Sequence, residues 1–141
     1  MFNFFEQTAV MPETGGERQT AMPPEGRSIA IVDDDDAVCD STRLLLEAYD
    51  FEVSTYLRGS DFLREDPQVG CLIVDYQMPG LNGLEFVAEL RARGSRVPVI
   101  MITATSDPTL ERRAAQLGIN RVLQKPLSSR VLLRALRDEL K

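Results

Sequence analysis

The 141-residue chain has no histidine and only two cysteines, Cys39 and Cys71, which lack CxxC spacing. A zinc site built from Cys and His is thereby excluded, and both cysteines read as reduced, packed thiols. No Lys or Arg precedes Arg18 and no long continuous apolar run occurs, so no segment reads as a signal peptide or a membrane anchor. The expected location is the cytoplasm, with no membrane partner. A Gly-x-x-x-x-Gly-Lys-Ser/Thr loop is also missing, which argues against a nucleotide substrate. No internal repeat is present beyond an alternation of strand and helix patterns.

Charge is unevenly spread. The net charge of -6 divides into -11 over residues 1–107 and +5 over residues 108–141. An acidic chain repels nucleic acid overall, and no nucleic-acid partner is expected. The basic residues Arg130, Arg134, Arg137 and Lys141 recur at helical spacing and read as a solvated or protein-docking face. With 43% hydrophobic residues, the length fits one compact domain with a real core.

Residues 1–27 are rich in Pro, Gly, Glu, Gln and Thr, the composition of a flexible N-terminal arm. Phe2, Phe4 and Phe5 nevertheless supply half of the six Phe. They are either part of an inconsequential leader or a short docking element for a partner. From residue 28 onward, short apolar runs alternate with helical patterns, the signature of βαβ units and a parallel sheet. Strands are expected at 28–33, 52–56, 70–75, 97–102 and 120–124, and helices at 37–49, 60–66, 83–93, 108–117 and 128–140. Ser60, Asp107 and Ser128 suit helix N-caps, Pro108 a first helical position, and Gly94 and Gly118 helix exits.

The chemistry gathers at strand ends. Ile29-Ala30-Ile31-Val32 runs into Asp33-Asp34-Asp35-Asp36, and Cys71-Leu72-Ile73-Val74 ends on Asp75. In an open parallel sheet, ligands bind outside the carboxyl ends of the strands. If strands one and three are neighbours, the carboxylates converge there and their repulsion calls for a cation. Thr103 follows the fourth strand and Lys125 the fifth. Together these groups suit phosphoryl transfer: a metal, an attacking carboxylate, and a hydroxyl and an ammonium for the transferred oxygens. Each has a plainer reading when taken singly, as a cap, a turn residue or a solvated lysine. A haloacid-dehalogenase-type reading of Asp33-x-Asp35 fails at Ala37, where Thr or Val is needed. An EF-hand starting at Asp33 fails at Val38 and Leu44, where Gly and a bidentate Glu belong.

Residues 28–140 resemble the receiver domain of bacterial two-component response regulators. The resemblance rests on Ile-Val-Asp33-Asp34, Val-Asp75-Tyr-Gln-Met-Pro79-Gly-Leu-Asn-Gly83, Ile-Thr103-Ala104 and Lys125-Pro126. It implies a doubly wound α/β fold, flavodoxin-like, with five parallel strands in the order 2-1-3-4-5 over residues 28–141. It further implies that Asp75 is the phosphoacceptor and that Mg²⁺ is held by Asp34, Asp75 and the backbone carbonyl of Gln77, with Asp33 acting through water. Thr103 and Lys125 would contact the phosphoryl oxygens, Ala104 would admit them, and Lys125-Pro126 would be a cis peptide. Asp35 and Asp36 would serve the helix start and the local potential.

The implied partners are a sensor histidine kinase or a histidine phosphotransfer protein as donor, since the chain itself has no His, and a downstream protein target. Mg²⁺-dependent self-phosphorylation from a donor and loss of its own phosphate are expected. Val122 stands where many relatives carry an aromatic switch residue, so the usual relay from Thr103 is expected to be altered. A stand-alone regulator is expected, because no output domain follows Lys141. The alternatives are a receiver from a longer transcriptional regulator and a phosphate-independent interaction module.

Overall fold

The computed structural model describes residues 27–140. Ten elements alternate along the chain: β1 Ser28–Val32, α1 Asp36–Glu47, β2 Glu52–Tyr56, α2 Gly59–Glu65, β3 Cys71–Asp75, α3 Gly83–Ala92, β4 Val99–Thr103, α4 Pro108–Gln116, β5 Arg121–Gln124 and α5 Ser129–Glu139. The strands form one parallel sheet in the order β2-β1-β3-β4-β5. The doubly wound topology expected from the sequence is therefore present. The segment read as a flexible arm, with Phe2, Phe4 and Phe5, lies outside the described residues except for Arg27; Lys141 lies outside them as well.

Strand side chains alternate between two faces, which explains why β1, β3 and β4 are apolar almost throughout. Ala30, Val32, Leu72, Val74, Val99 and Met101 pack with residues of α2, α3 and α4 on one face. Ile29, Ile31, Cys71, Ile73, Ile100 and Ile102 pack with α1 and α5 on the other. Buried on both sides, these strands read as continuous hydrophobic runs. Phe62 and Phe86 meet edge to face at 5.6 Å in the first core. A Cβ on Gly59 would lie 2.7 Å from the Phe86 ring, and that ring is fully buried, so α2 starts on glycine to let it in.

Boundaries shift where local chemistry overrides the pattern. The fourth strand begins at Val99 instead of residue 97 and runs on through Thr103, which pairs with Gln124. Pro98 lacks an N–H for the ladder and contributes only its carbonyl, to Leu72. The first helix stops at Glu47, and Asp50 just beyond it takes a left-handed φ of 69°. Ser60 is not a cap: α2 starts one residue earlier, with Arg58 at the N-cap and no side-chain bond. Asp107 and Ser128 do cap α4 and α5, Pro108 opens α4, and Gly94 and Gly118 have positive φ past α3 and α4. A reciprocal capping box between Asn82 and Glu85 at the start of α3 had not been anticipated.

The edge of the sheet opposite the carboxylates is tied by Arg91. Its Nε donates to Leu117 O at 2.8 Å and its Nη1 to Ser95 O at 3.2 Å and Val97 O at 2.9 Å. These bonds join the C-terminal ends of α3 and α4 to the approach to β4. Each helix end carries about half a negative charge, so one guanidinium balances both, with no carboxylate paired to it among the described residues. Arg91→Ala would leave three carbonyls without a charged donor, and a loss of about 2–4 kcal/mol is expected in urea unfolding. Arg64→Ala removes only an exposed pair with Asp61 and is expected to cost under about 1 kcal/mol. Equal effects of the two substitutions would contradict this role for Arg91.

Candidate functional site

Sheet order brings the strand ends together. β1 and β3 are neighbours, so Asp33, just past β1, and Asp75, the last residue of β3, stand side by side. Main-chain bonds fix the frame. Asp33 N donates to Tyr56 O at 3.0 Å, Tyr76 N to Ile102 O at 2.8 Å, and Lys125 N to Thr103 O at 2.8 Å. These bonds lock β1 to β2 and join β3, β4 and β5, and the β1–β3 ladder connects the two sets. A Cβ on Gly83 would come within 2.9 Å of Asp75 O and Tyr76 Cα. Only glycine lets α3 start this close to the Asp75 backbone.

Asp33, Asp34 and Asp75 each offer a carboxylate oxygen, and the three atoms lie within 4.8 Å of one another. Asp33 and Asp75 are buried, whereas Asp34 is exposed. At an effective dielectric of about 20, each such pair repels by roughly 3 kcal/mol or more. Lys125 Nζ, 3.3 Å from Asp75 Oδ1, offsets part of this. Three carboxylates and one ammonium leave two formal negative charges, which a divalent cation would balance. The oxygens available, hard and anionic, suit Mg²⁺ by donor type.

Titration reflects the crowding. Burial pushes the Asp33 carboxyl up to about 6, aided by the charges of Asp75 and Asp34 and opposed by the Asp35 N–H and Lys125. The Asp35 N–H donates to Asp33 Oδ1 at 2.9 Å. Burial also raises Asp75, against the lowering effects of Lys125 and of the Gln77 backbone N–H.

Thr103, Ala104 and Lys125 lie at the same edge. Thr103 is buried, and its hydroxyl accepts the Thr105 N–H at 3.2 Å. Ala104 is exposed at the rim of a cleft that also contains Asp33 and Lys125. Lys125-Pro126 is a cis peptide. Asp35 caps α1, accepting from Ala37 N at 3.0 Å and Val38 N at 3.2 Å, and Asp36 lies in the first turn. Val122 lies apart from the carboxylates, half-buried in β5 against the core under α2, α3 and α4. Cys39, read as a packed thiol, is buried and its Sγ lies 3.3 Å from Asp33 O, donating to it.

Because the folded protein holds the Asp33 proton more tightly than an unfolded chain, this group's contribution to stability is full below about pH 4 and drains away as pH rises through about 6. Without metal, unfolding stability is expected to fall by on the order of 2 kcal/mol across that window through Asp33. Asp33→Asn should flatten the profile, and Mg²⁺ should offset the loss at the high-pH end. A metal-free stability that rises from pH 4 to pH 7 in the parent but not in Asp33→Asn would contradict the assignment.

Residues 29–137 match the family model described as the response regulator receiver domain. Among curated proteins, the transcriptional regulatory protein FixJ of Azorhizobium caulinodans is 36% identical over 119 residues, covering 83% of this chain and 56% of FixJ. The chain spans about half the length of the curated relatives it matches. Among solved structures, the response regulator StyR is 36% identical with a TM-score of 0.75, over 80% of this chain and 58% of StyR. The chemotaxis protein CheY4 of Vibrio cholerae is 25% identical with a TM-score of 0.74, over 79% of this chain and 96% of CheY4. With the strand order, the carboxylate cluster and these matches in agreement, the chain belongs to the response regulator receiver domain family.

Proposed function

We propose that this receiver takes a phosphoryl group onto Asp75 from a phosphohistidine of a sensor histidine kinase or a histidine phosphotransfer protein. The observation that carries the reading is Lys125 Nζ at 3.3 Å from a buried Asp75 carboxylate that shares its site with Asp33 and Asp34. An Asp75 oxygen attacks phosphorus, the P–N bond of the donor breaks, and the leaving imidazole nitrogen keeps the electron pair and takes up a proton. Asp34, Asp75 and the Gln77 carbonyl, with Asp33 acting through water, would hold a Mg²⁺ ion, which would supply charge neutralisation for the transferred oxygens. Lys125 and the Thr103 hydroxyl bond to those oxygens, and the small Ala104 leaves them room.

The donor is a protein, and the surface beside the site suits one. A cleft between α1 and α5, walled by Val38, Leu45, Leu127 and Leu132, opens on Asp33 and Lys125. An amphipathic helix bearing the phosphohistidine could lay its apolar face there. The buried, unpaired thiols of Cys39 and Cys71 fit a reducing cytoplasm. Among the described residues no helix is long and apolar enough to cross a membrane.

Phosphorylation adds close to two negative charges at Asp75, which Thr103 and Lys125 meet with charge-assisted bonds. Movement of the β4–α4 loop then alters a surface that a downstream protein reads, without DNA contact by this domain. In one reading the regulator acts alone. A second, in which it is the regulatory part of a transcriptional regulator, is favoured by relatives of that description of whose length it covers about half. The reading frame beyond Lys141 separates the two.

Labelling with a small acyl-phosphate donor tests the proposal. Mg²⁺-dependent label that is labile to hydroxylamine and lost in Asp75→Ala is expected. Label that persists in Asp75→Ala would refute the assignment, and no labelling of the parent chain would favour a phosphate-independent module. Val122 is small and stiff at χ1, and it is not expected to act as a lever between Thr103 and the output face. Val122→Ala should therefore leave both the yield and the phosphorylation-induced amide shifts over residues 104–118 largely unchanged. Loss of those shifts with normal labelling would make Val122 part of the relay.

A further inference from the structure

The two outer strands of the sheet bracket the carboxylates with cations. Lys125 follows β5 on one side and Arg58 follows β2 on the other, with Asp33 and Asp34 after β1 and Asp75 at the end of β3 between them. Asp33 and Lys125 line the cleft between α1 and α5. Asp34 and Arg58 line a second cleft, walled by Leu57, Pro79 and Leu81. Lys125 pairs with Asp75, whereas the exposed Arg58 side chain makes no hydrogen bond or ion pair among the described residues.

Local structure gives no reason for an arginine there. Arg58 is the N-cap of α2 and offers the first N–H groups no acceptor, where Ser, Thr, Asp or Asn would. Its charge also stands at the helix end that disfavours a cation. Asp61 in the first turn is taken up by Arg64 at 2.8 Å. Sequences break such local rules chiefly at functional positions. The backbone on either side is fixed, by the bond from Asp33 N to Tyr56 O and by the close approach of Gly59 to the buried Phe86 ring.

We propose that Arg58 is a specificity-determining residue that draws anionic phosphodonors to the Asp34 side of the site and, by the same charge, weakens the hold on a divalent cation. A cation at the mouth of a cleft raises the local concentration of anions, by an amount that falls with ionic strength. The donor half of this rests on the proposed phosphoacceptor role of Asp75; the metal half does not.

The test uses the full-length variants Arg58→Gln, Arg58→Lys and Arg58→Asp. Asp at the N-cap should raise the urea midpoint, so a loss in that variant is not a loss of fold. With no donor present, Arg58→Gln should bind Mg²⁺ about threefold more tightly, the scale of one exposed charge pair, and Arg58→Asp more tightly still. At saturating Mg²⁺ and low salt, Arg58→Gln should label from acetyl phosphate, a dianion, with a second-order rate constant lower by about tenfold, since a doubled charge squares the factor. The limiting rate at saturating donor should be unchanged, the loss smaller for the less charged phosphoramidate, and both losses abolished at high salt or in Arg58→Lys. Labelling slowed equally for both donors at all salt concentrations would overturn the proposal. If the parent chain took no label, the phosphoacceptor reading would fail, and Mg²⁺ affinity unchanged in Arg58→Gln and Arg58→Asp would by itself overturn the role of Arg58.

Discussion

Three carboxylates held within 4.8 Å at the end of a buried sheet repel one another, and much of the molecule serves to keep them there. Two of them, Asp33 and Asp75, are carried by strands whose neighbours shield both faces from water. Burial raises both carboxyls. Lys125 offsets one charge. The remaining charge suits a divalent cation.

The frame around this edge follows from the same demand. Gly83 is small so that α3 can start against the Asp75 backbone, and the capping box of Asn82 and Glu85 fixes that start. Asp35 turns the acidic run into α1 by accepting two N–H groups, so the fourfold Asp motif divides its labour between a site and a cap. At the far edge, Arg91 joins three segments through carbonyls. That anchors the C-terminal ends of α3 and α4 at the edge of the sheet away from the carboxylates.

Much of this was legible in the sequence because burial on two faces writes itself as unbroken apolar runs, and each run ends where its chemistry begins. The residues that the strand-end argument singled out, Asp33, Asp34, Asp75, Thr103 and Lys125, all lie at one edge. Bonds made by the backbone were not legible. The Asp33 N–H on Tyr56 O and the Arg58 start of α2 depend on backbone geometry, which side-chain identity does not encode, and Ser60 looked like a cap only because serine often is one. Strand four was placed two residues early because Val97-Pro98 continues the apolar run while Pro98 cannot continue the ladder.

The account's central claim is that the carboxylate cluster is organised for a divalent cation. Calorimetric titration of Mg²⁺ into the unphosphorylated protein tests it most directly. Weak binding is predicted, because Mg²⁺ retains several of its waters in such a site, and it should vanish in Asp34→Ala while the fold is kept. Undiminished Mg²⁺ binding in Asp34→Ala, or none in the parent protein at neutral pH, would contradict the claim.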